Sequence, residues 1–219
     1  MNEMQFLTWV RGQGLDLAVS IFLLGVLWRL IEIYSLGRKK DLTAPRHAAG
    51  ASGWHTVFRR SIPPEGMLKK SPVSYIAGYT FHIGLVLVVL LFAPHIKLIQ
   101  SLTGLSWPGL PSQFIDLVAV VTIAAMVVLL VDRINKPVKR YLSTFEDWFT
   151  WLVTFLPLLT GWLSVRHLLL PYTNMLALHI LSVEILLVVL PFTKLFHAFT
   201  VFGSRWYNGA VNGHKGVAV

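Results

Sequence analysis

The sequence contains no cysteine. Disulfides, thiolate-held iron–sulfur clusters and the Cys-x-x-Cys-His attachment of c-type haem are therefore excluded from this chain. Charged residues are also scarce, at 13% of the sequence, whereas an ordinary soluble domain carries about a quarter. Hydrophobic residues make up 55%. This balance indicates a protein whose main solvent is lipid.

The apolar residues stand in long blocks. A helix rises about 1.5 Å per residue and needs about 20 mainly apolar residues to cross a bilayer. Five blocks approach or exceed this length: 15–36, 73–98, 115–131, 148–165 and 173–200. They predict an all-α integral membrane bundle of five transmembrane helices, forming a single membrane domain over residues 1–219. The first block is too long for a cleavable signal peptide, and no basic segment precedes it.

The basic residues predict the orientation of the bundle. Cytoplasmic loops retain Lys and Arg preferentially. Most of these residues lie in the first connection, the third connection and the C-terminal end: Arg38, Lys39, Lys40, Arg46, Arg59, Arg60, Lys69, Lys70, Arg133, Lys136, Lys139, Arg140, Lys194, Arg205 and Lys215. We therefore expect the N-terminus outside and the C-terminus in the cytoplasm, in a multi-pass protein of the inner (plasma) membrane. Membrane topology also explains the net charge of +9 better than a nucleic-acid partner does.

Four of the eight histidines fall within the apolar blocks: His82, His95, His179 and His197. Ionisable residues in membrane spans are costly and usually face the bundle interior or a cofactor. His179 and His197 are separated by 18 residues, which on one straight helix is about five turns and about 27 Å. They would share one face, one near each membrane surface. This spacing favours two cofactors over one metal ion, whose ligands must converge at about 2 Å.

The second span adds His82 near its inner end and His95 near its outer end. Because the second and fifth spans run in opposite directions, His82 is expected level with His197, and His95 level with His179. On a straight helix His82 and His95 would point about 140° apart, and Pro94 can re-aim the end of that helix. The competing interpretation is that these histidines only form hydrogen bonds between helices. Gly84 fits either close approach of a large planar ligand or helix packing.

Further residues are candidates for quinone or proton chemistry. Lys97 and His167 lie at the outer ends of the second and fourth spans, where they either bind a quinone oxygen or a haem propionate or are solvated interface residues. Glu184 either carries protons or makes a structural hydrogen bond in the bundle. Arg29 and Glu32 are expected to pair along one helix face.

The segments Phe81-His82-Ile83-Gly84, Leu178-His179 and Pro191-Phe192-Thr193-Lys194-Leu195-Phe196-His197 resemble the gamma subunit of respiratory nitrate reductase. The wider group includes the membrane cytochromes of sulfite-reduction-associated and heterodisulfide-reductase-like complexes. The nitrate reductase pattern places the second outer ligand ten residues after the first histidine, where this chain has Phe92, and the nearest histidine is His95. This departure favours the relatives that have other catalytic partners.

The resemblance implies a dihaem cytochrome b subunit of a respiratory redox complex. It implies that His82 and His197 ligate an inner haem b and that His179, with His95, ligates an outer one. Members of the family oxidise or reduce quinones near the outer haem and exchange electrons with a cytoplasmic iron–sulfur subunit. The direction of electron flow stays open. The alternatives are a small transporter or channel whose histidines bind metal or protons, with helices interrupted near the midplane, and a structural anchor without haem.

Overall fold

The computed structural model describes residues 2–37, 42–64 and 66–217. The chain is 82% helical, and no strand occurs in these residues. Five helical stretches are long and apolar enough to cross a membrane: Glu3–Ser35, Pro72–Leu91, Ser112–Asn135, Phe145–Val165 and Tyr172–Phe192. The predicted five-helix, multi-pass membrane architecture is confirmed. The outside location of the N-terminus and the single membrane domain stay predictions, and Arg38, Lys39 and Lys40 lie outside the described residues.

The first stretch is a continuous helix with one irregular turn. It consists of α1 (Glu3–Trp9), a π-helical turn (Val10–Gly14) and α2 (Leu15–Ser35). Asn2 and Gln5 cap its start, since the Gln5 backbone N–H donates to Asn2 and the Asn2 N–H donates to the Gln5 side chain. The helix therefore begins well before the predicted residue 15, and its cap explains why.

The remaining helices come in chain order, several of them short helices in the connections. They are α3 (Ala49–Arg59), α4 (Met67–Lys70), α5 (Pro72–Leu91), α6 (Ala93–Thr103), α7 (Ser112–Asn135), α8 (Pro137–Leu142), α9 (Phe145–Val165), α10 (Tyr172–Val189) and α11 (His197–His214). The third span does not continue past Pro137, which begins the separate helix α8. The cap of α9 is Thr144, whose N–H and hydroxyl donate to Asp147.

Two of the predicted spans are too long. The second, expected over 73–98, ends at Leu91, where Phe92 is extended and Pro94 lies in the first turn of α6. The fifth, expected over 173–200, leaves the α-helix at Val189. It continues as two 3-10 turns, Leu190–Phe192 and Lys194–Phe196, with the extended Thr193 between them. In both places a proline removes a backbone N–H that the helix needs.

Contacts divide the chain into two compact units, Met1–Ala18 with Ser71–Leu186 and Val19–Lys70 with Leu187–Val219. In the first unit, α5 packs on α7 so closely that a Cβ on Gly84 would collide with the Thr122 hydroxyl. Helix packing is thus the reason for Gly84, and not the large planar ligand that was its alternative. Trp151 also donates from its indole to the Met126 carbonyl, at 3.1 Å.

The first and fifth spans run parallel within the first unit. Glu3 accepts a hydrogen bond from Asn174 at 2.9 Å, Val10 clusters with Ala177, and Gly14 contacts Glu184. The residue numbers rise together on both helices, as they must for two odd-numbered spans of one membrane protein.

The second unit is built on the packing of α3 against α11. Gly53 and Gly209 bring the helices close, since a Cβ on Gly53 would lie 2.7 Å from the Trp206 ring and one on Gly209 would collide with Thr56. Arg205 donates to the Ser61 hydroxyl at 2.9 Å. In this unit α2 also meets the segment after α10, because a Cβ on Gly25 would lie 2.9 Å from Pro191.

Candidate functional site

His95 and His179 come together in the first unit. Their ring centroids are 6.2 Å apart and their planes are inclined by 19°. α5 ends at Leu91, Phe92 is extended, and His95 lies in the new helix α6. The direction of the His95 side chain is therefore not determined by the helical repeat of α5. The structure thus places the two predicted outer ligands as neighbours.

The ring of His95 is held by the end of α5. Its Nδ1 donates to the Val88 carbonyl at 3.0 Å, one of the four last carbonyls of a helix that lack an intrahelical partner. Two other carbonyls of this turn are used as well: Leu90 accepts from the Trp107 indole at 2.6 Å, and Leu91 accepts from the Leu110 N–H at 2.9 Å. Burial lowers the pKa of His95 below the ordinary histidine value, against the smaller opposite effect of its backbone hydrogen bonds.

The ring of His179 is held by α9. Its Nδ1 donates to the Pro157 carbonyl at 3.1 Å, and the Thr160 hydroxyl lies 3.5 Å from the same nitrogen. Ser182 links this arrangement back to α10, since its hydroxyl lies 3.1 Å from that of Thr160 and donates to the His179 carbonyl at 2.7 Å.

Gly161 makes room for the His179 ring. A Cβ at this position would lie 2.9 Å from Cε1 and 3.0 Å from Nδ1 of His179, closer than ordinary van der Waals contact. The sequence reasoning did not select Thr160, Gly161 or Ser182. The sequence does contain one indication of this contact: Thr160 and Gly161 stand together inside an otherwise apolar span, and such polar and small residues are typical of contacts between membrane helices.

His82 and His197 lie in different units, and their expected pairing stays a prediction. His82 is in the first unit, where its Nδ1 donates to the Gly78 carbonyl of its own helix at 2.7 Å. His197 is in the second unit and is the first residue of α11, and its Nδ1 donates to the Lys194 carbonyl at 2.8 Å. The helix is broken between His179 and His197. The expectation that they share one face of one straight helix is therefore wrong.

All four histidines share one hydrogen bond, from Nδ1 to a backbone carbonyl oxygen. A carbonyl oxygen can only accept, so Nδ1 of each ring carries a proton, and in the neutral imidazole Nε2 keeps its lone pair. This is the tautomer that binds a metal through Nε2, with the other nitrogen fixed by a backbone carbonyl. The donor set therefore suits iron ligation at each of the four positions.

The other candidates lie apart from this arrangement. Lys97 is exposed in α6, and His167 is exposed with its ring centroid 5.0 Å from that of Tyr172. Glu184 is buried, and its Oε1 has no hydrogen-bond partner among the described residues. Of the two roles expected for Glu184, proton transfer or a structural hydrogen bond, the hydrogen bond is therefore not made by Oε1. Arg29 pairs with Glu32 as expected.

The chain is similar to a protein of Nitratidesulfovibrio vulgaris that is described only as "Protein". The two are 35% identical over 199 residues, which cover 89% of this chain and 88% of the relative. No family model matches the chain, and no solved structure matches it significantly. At this identity and coverage, the chain belongs to the same protein family as the Nitratidesulfovibrio vulgaris protein.

Proposed function

We propose that this chain is a dihaem cytochrome b subunit of a respiratory redox complex in the inner (plasma) membrane. His95 and His179 would hold an outer haem b, and His82 and His197 an inner one. When bound, the haems supply one-electron transfer. As part of an oxidoreductase, the chain would exchange electrons with a quinone on the outer side and with an iron–sulfur subunit on the cytoplasmic side. Either direction of flow fits.

The single observation that carries this proposal is the shared tautomer of the four histidines. One histidine bound to a backbone carbonyl is common, but here four membrane-depth or near-membrane rings each donate from Nδ1, at 2.7–3.1 Å. Such an outer-shell partner fixes the orientation of a ligating imidazole and raises its basicity. The Nδ1 bonds of His82 and His197 stay within their own helical segments, so these two rings do not join helices through Nδ1.

The proximity of His95 and His179 also supports the proposal. Their ring centroids are 6.2 Å apart with nearly parallel planes, and each Nδ1 donates to a backbone carbonyl and not to the other ring. The Nε2 atoms of the two rings would therefore hold the haem iron.

For the quinone we propose Lys97, His167 and Glu184 as the candidate residues. Lys97 is exposed in α6, the helix that also carries His95. For the iron–sulfur partner we propose the basic connections between spans on the cytoplasmic side. A positive surface attracts a partner that carries acidic residues around its docking site.

A dithionite-reduced minus oxidised visible spectrum, with pyridine haemochrome quantification, tests the proposal. We expect two b haems per chain. His95→Ala should remove one of them, because only the outer pair loses a ligand. His55→Ala is the matched control, since His55 is exposed in α3 of the second unit, and it should retain both. A well-folded, colourless protein would contradict the proposal.

A transporter or channel is the second candidate, and one observation favours it. The fifth span is interrupted at Leu190–Phe196, and broken helices are typical of transporter binding sites. The break, however, comes after 18 regular residues of α10 and so lies beyond the middle of the membrane. The position of the break therefore favours the cytochrome over the transporter.

A further inference from the structure

Glu184 is a carboxylic acid in the membrane-spanning part of the fifth helix. It lies in α10, twelve residues after Tyr172, which places it about 18 Å along a helix that rises about 1.5 Å per residue. Its side chain is buried, at 5% exposure. The haem-ligand proposal does not use it, since it projects from α10 about 140° away from His179.

The carboxyl group lies directly on the backbone of the first helix. A Cβ on Gly14 would lie 2.8 Å from Oε1 and 3.1 Å from Oε2 of Glu184. Gly14 ends the π-helical turn Val10–Gly14, in which one residue is inserted relative to a regular helix. Such turns are rare and are frequently found at functional sites. The absence of a side chain at Gly14 and the widened turn together create the space that Glu184 fills.

Nothing in the described residues compensates a negative charge at this place. Oε1 has no hydrogen-bond partner there, and none of the salt bridges in the described chain involves Glu184. The charged residues of the first helix on either side of Gly14, Arg11 and Asp16, are exposed. An unpaired carboxylate in an apolar interior is far more costly than the neutral acid.

We propose that Glu184 is a proton-binding site at membrane depth, built by the Gly14 π-turn. The carboxyl group binds a proton and is held as a neutral acid between the first and fifth spans. It does so without any cofactor, because the burial and the Gly14 contact come from the chain alone.

A proton site at this depth has a use that rests on the proposed function. Quinone reduction takes up protons together with electrons, and quinol oxidation releases them. A carboxyl group in the bundle gives such protons a place to bind between the quinone and one membrane surface. Among the candidate residues for the quinone, Glu184 would therefore serve in proton transfer.

The first test is chemical labelling of the purified full-length protein with a lipid-soluble carbodiimide. The reagent takes the proton of the acid while the carboxyl oxygen adds to its central carbon, so it modifies protonated carboxyl groups. Mass spectrometry of the digested protein should find the label on Glu184. Asp116 is the control, since it also lies in a span but is paired with Arg166, and it should stay unlabelled. Absence of label on Glu184 would contradict the proposal.

The second test is the infrared carbonyl band of protonated carboxylic acids, measured in water and in heavy water. Glu184→Gln, which keeps the shape of the side chain, should lose the band component that shifts in heavy water. Gly14→Ala should shift it, because the new Cβ meets Oε1. Gly12→Ala is the matched control in the same turn, since nothing lies within 4 Å of a Cβ there. A spectrum unchanged in Glu184→Gln would overturn the proposal, whether or not the protein contains haem.

Discussion

Gly161→Ala should weaken the outer haem without touching a ligand. The added Cβ would lie 2.9 Å from Cε1 of His179, whereas carbon atoms pack best at about 3.5–4.0 Å. The imidazole must therefore move by at least about half an ångström. Its Nδ1 is bound to the Pro157 carbonyl at 3.1 Å, so the displacement also strains that hydrogen bond.

The expected loss of haem affinity depends on how far a ligand side chain can move before binding weakens. Functional constellations need their side chains within about 0.5 Å of the productive position, and losing an outer-shell contact typically costs 10–100-fold in metal affinity, as an order of magnitude. We therefore expect outer-haem affinity to fall by about 10–100-fold, or about 1.4–2.7 kcal/mol. The same substitution should stabilise helix α9 itself, because Ala is favoured over Gly inside a helix by about 0.5–1 kcal/mol.

The assay is haem titration of the purified protein followed at the reduced absorption band, with thermal unfolding measured in parallel. Gly203→Ala is the matched control, because Gly203 is also helical and nothing lies within 4 Å of a Cβ there. Two haems bound with unchanged affinity in Gly161→Ala would refute the reasoning. Loss of both haems together with a lower unfolding temperature would refute it too, since that result would mean general misfolding.

Three further predictions concern packing, charge and topology. Gly84→Ala should destabilise the protein by about 1–3 kcal/mol through overpacking, and Thr122→Ala in the same chain should restore part of the loss; an unchanged unfolding temperature in the single variant would refute this contact. Asp132→Asn should lower stability by about 1.5–3 kcal/mol, because this buried carboxylate pairs with two lysines, and the difference from the parent protein should shrink at high salt. Since the chain has no cysteine, Tyr141→Cys and Leu105→Cys each introduce a single exposed thiol. In right-side-out vesicles an impermeant thiol reagent should label the second and not the first, and the opposite pattern would reverse the predicted orientation.

Length and hydropathy were sufficient to predict the five spans, because the bilayer thickness fixes how many apolar residues a helix needs. The ends were harder to place. Residues 93–98 and 193–200 still contain several apolar residues beside a lysine and a histidine each, so the predicted blocks extended past the prolines at which the helices break. The start of the first span was also missed, because Asn2 and Gln5 cap a helix whose first turns mix polar and apolar residues.

The site was predictable as far as it depends on residue type and less so where it depends on contacts. Four histidines in apolar blocks were visible in the sequence, and level positions on antiparallel spans brought His95 and His179 together as expected. The partners of His179 come from α9, and no spacing within α10 reveals them. Gly161 has meaning only because a ring from another helix lies against it. A single sequence does not carry such information.

The two helix breaks give the proposed cytochrome a common design for both of its ligand pairs. His179 and His82 lie inside continuous helices, whereas His95 and His197 each come shortly after a break, in the first turn of α6 and at the first residue of α11. On an unbroken helix the direction of a second ligand is dictated by its distance in sequence from the first. After a break that direction is set independently, and a helix-end or turn carbonyl becomes available to fix Nδ1, as Val88 and Lys194 do. Each proposed pair thus combines one histidine inside a continuous helix with one that follows a helix break. The spacing of the histidines along the chain therefore need not match the helical repeat.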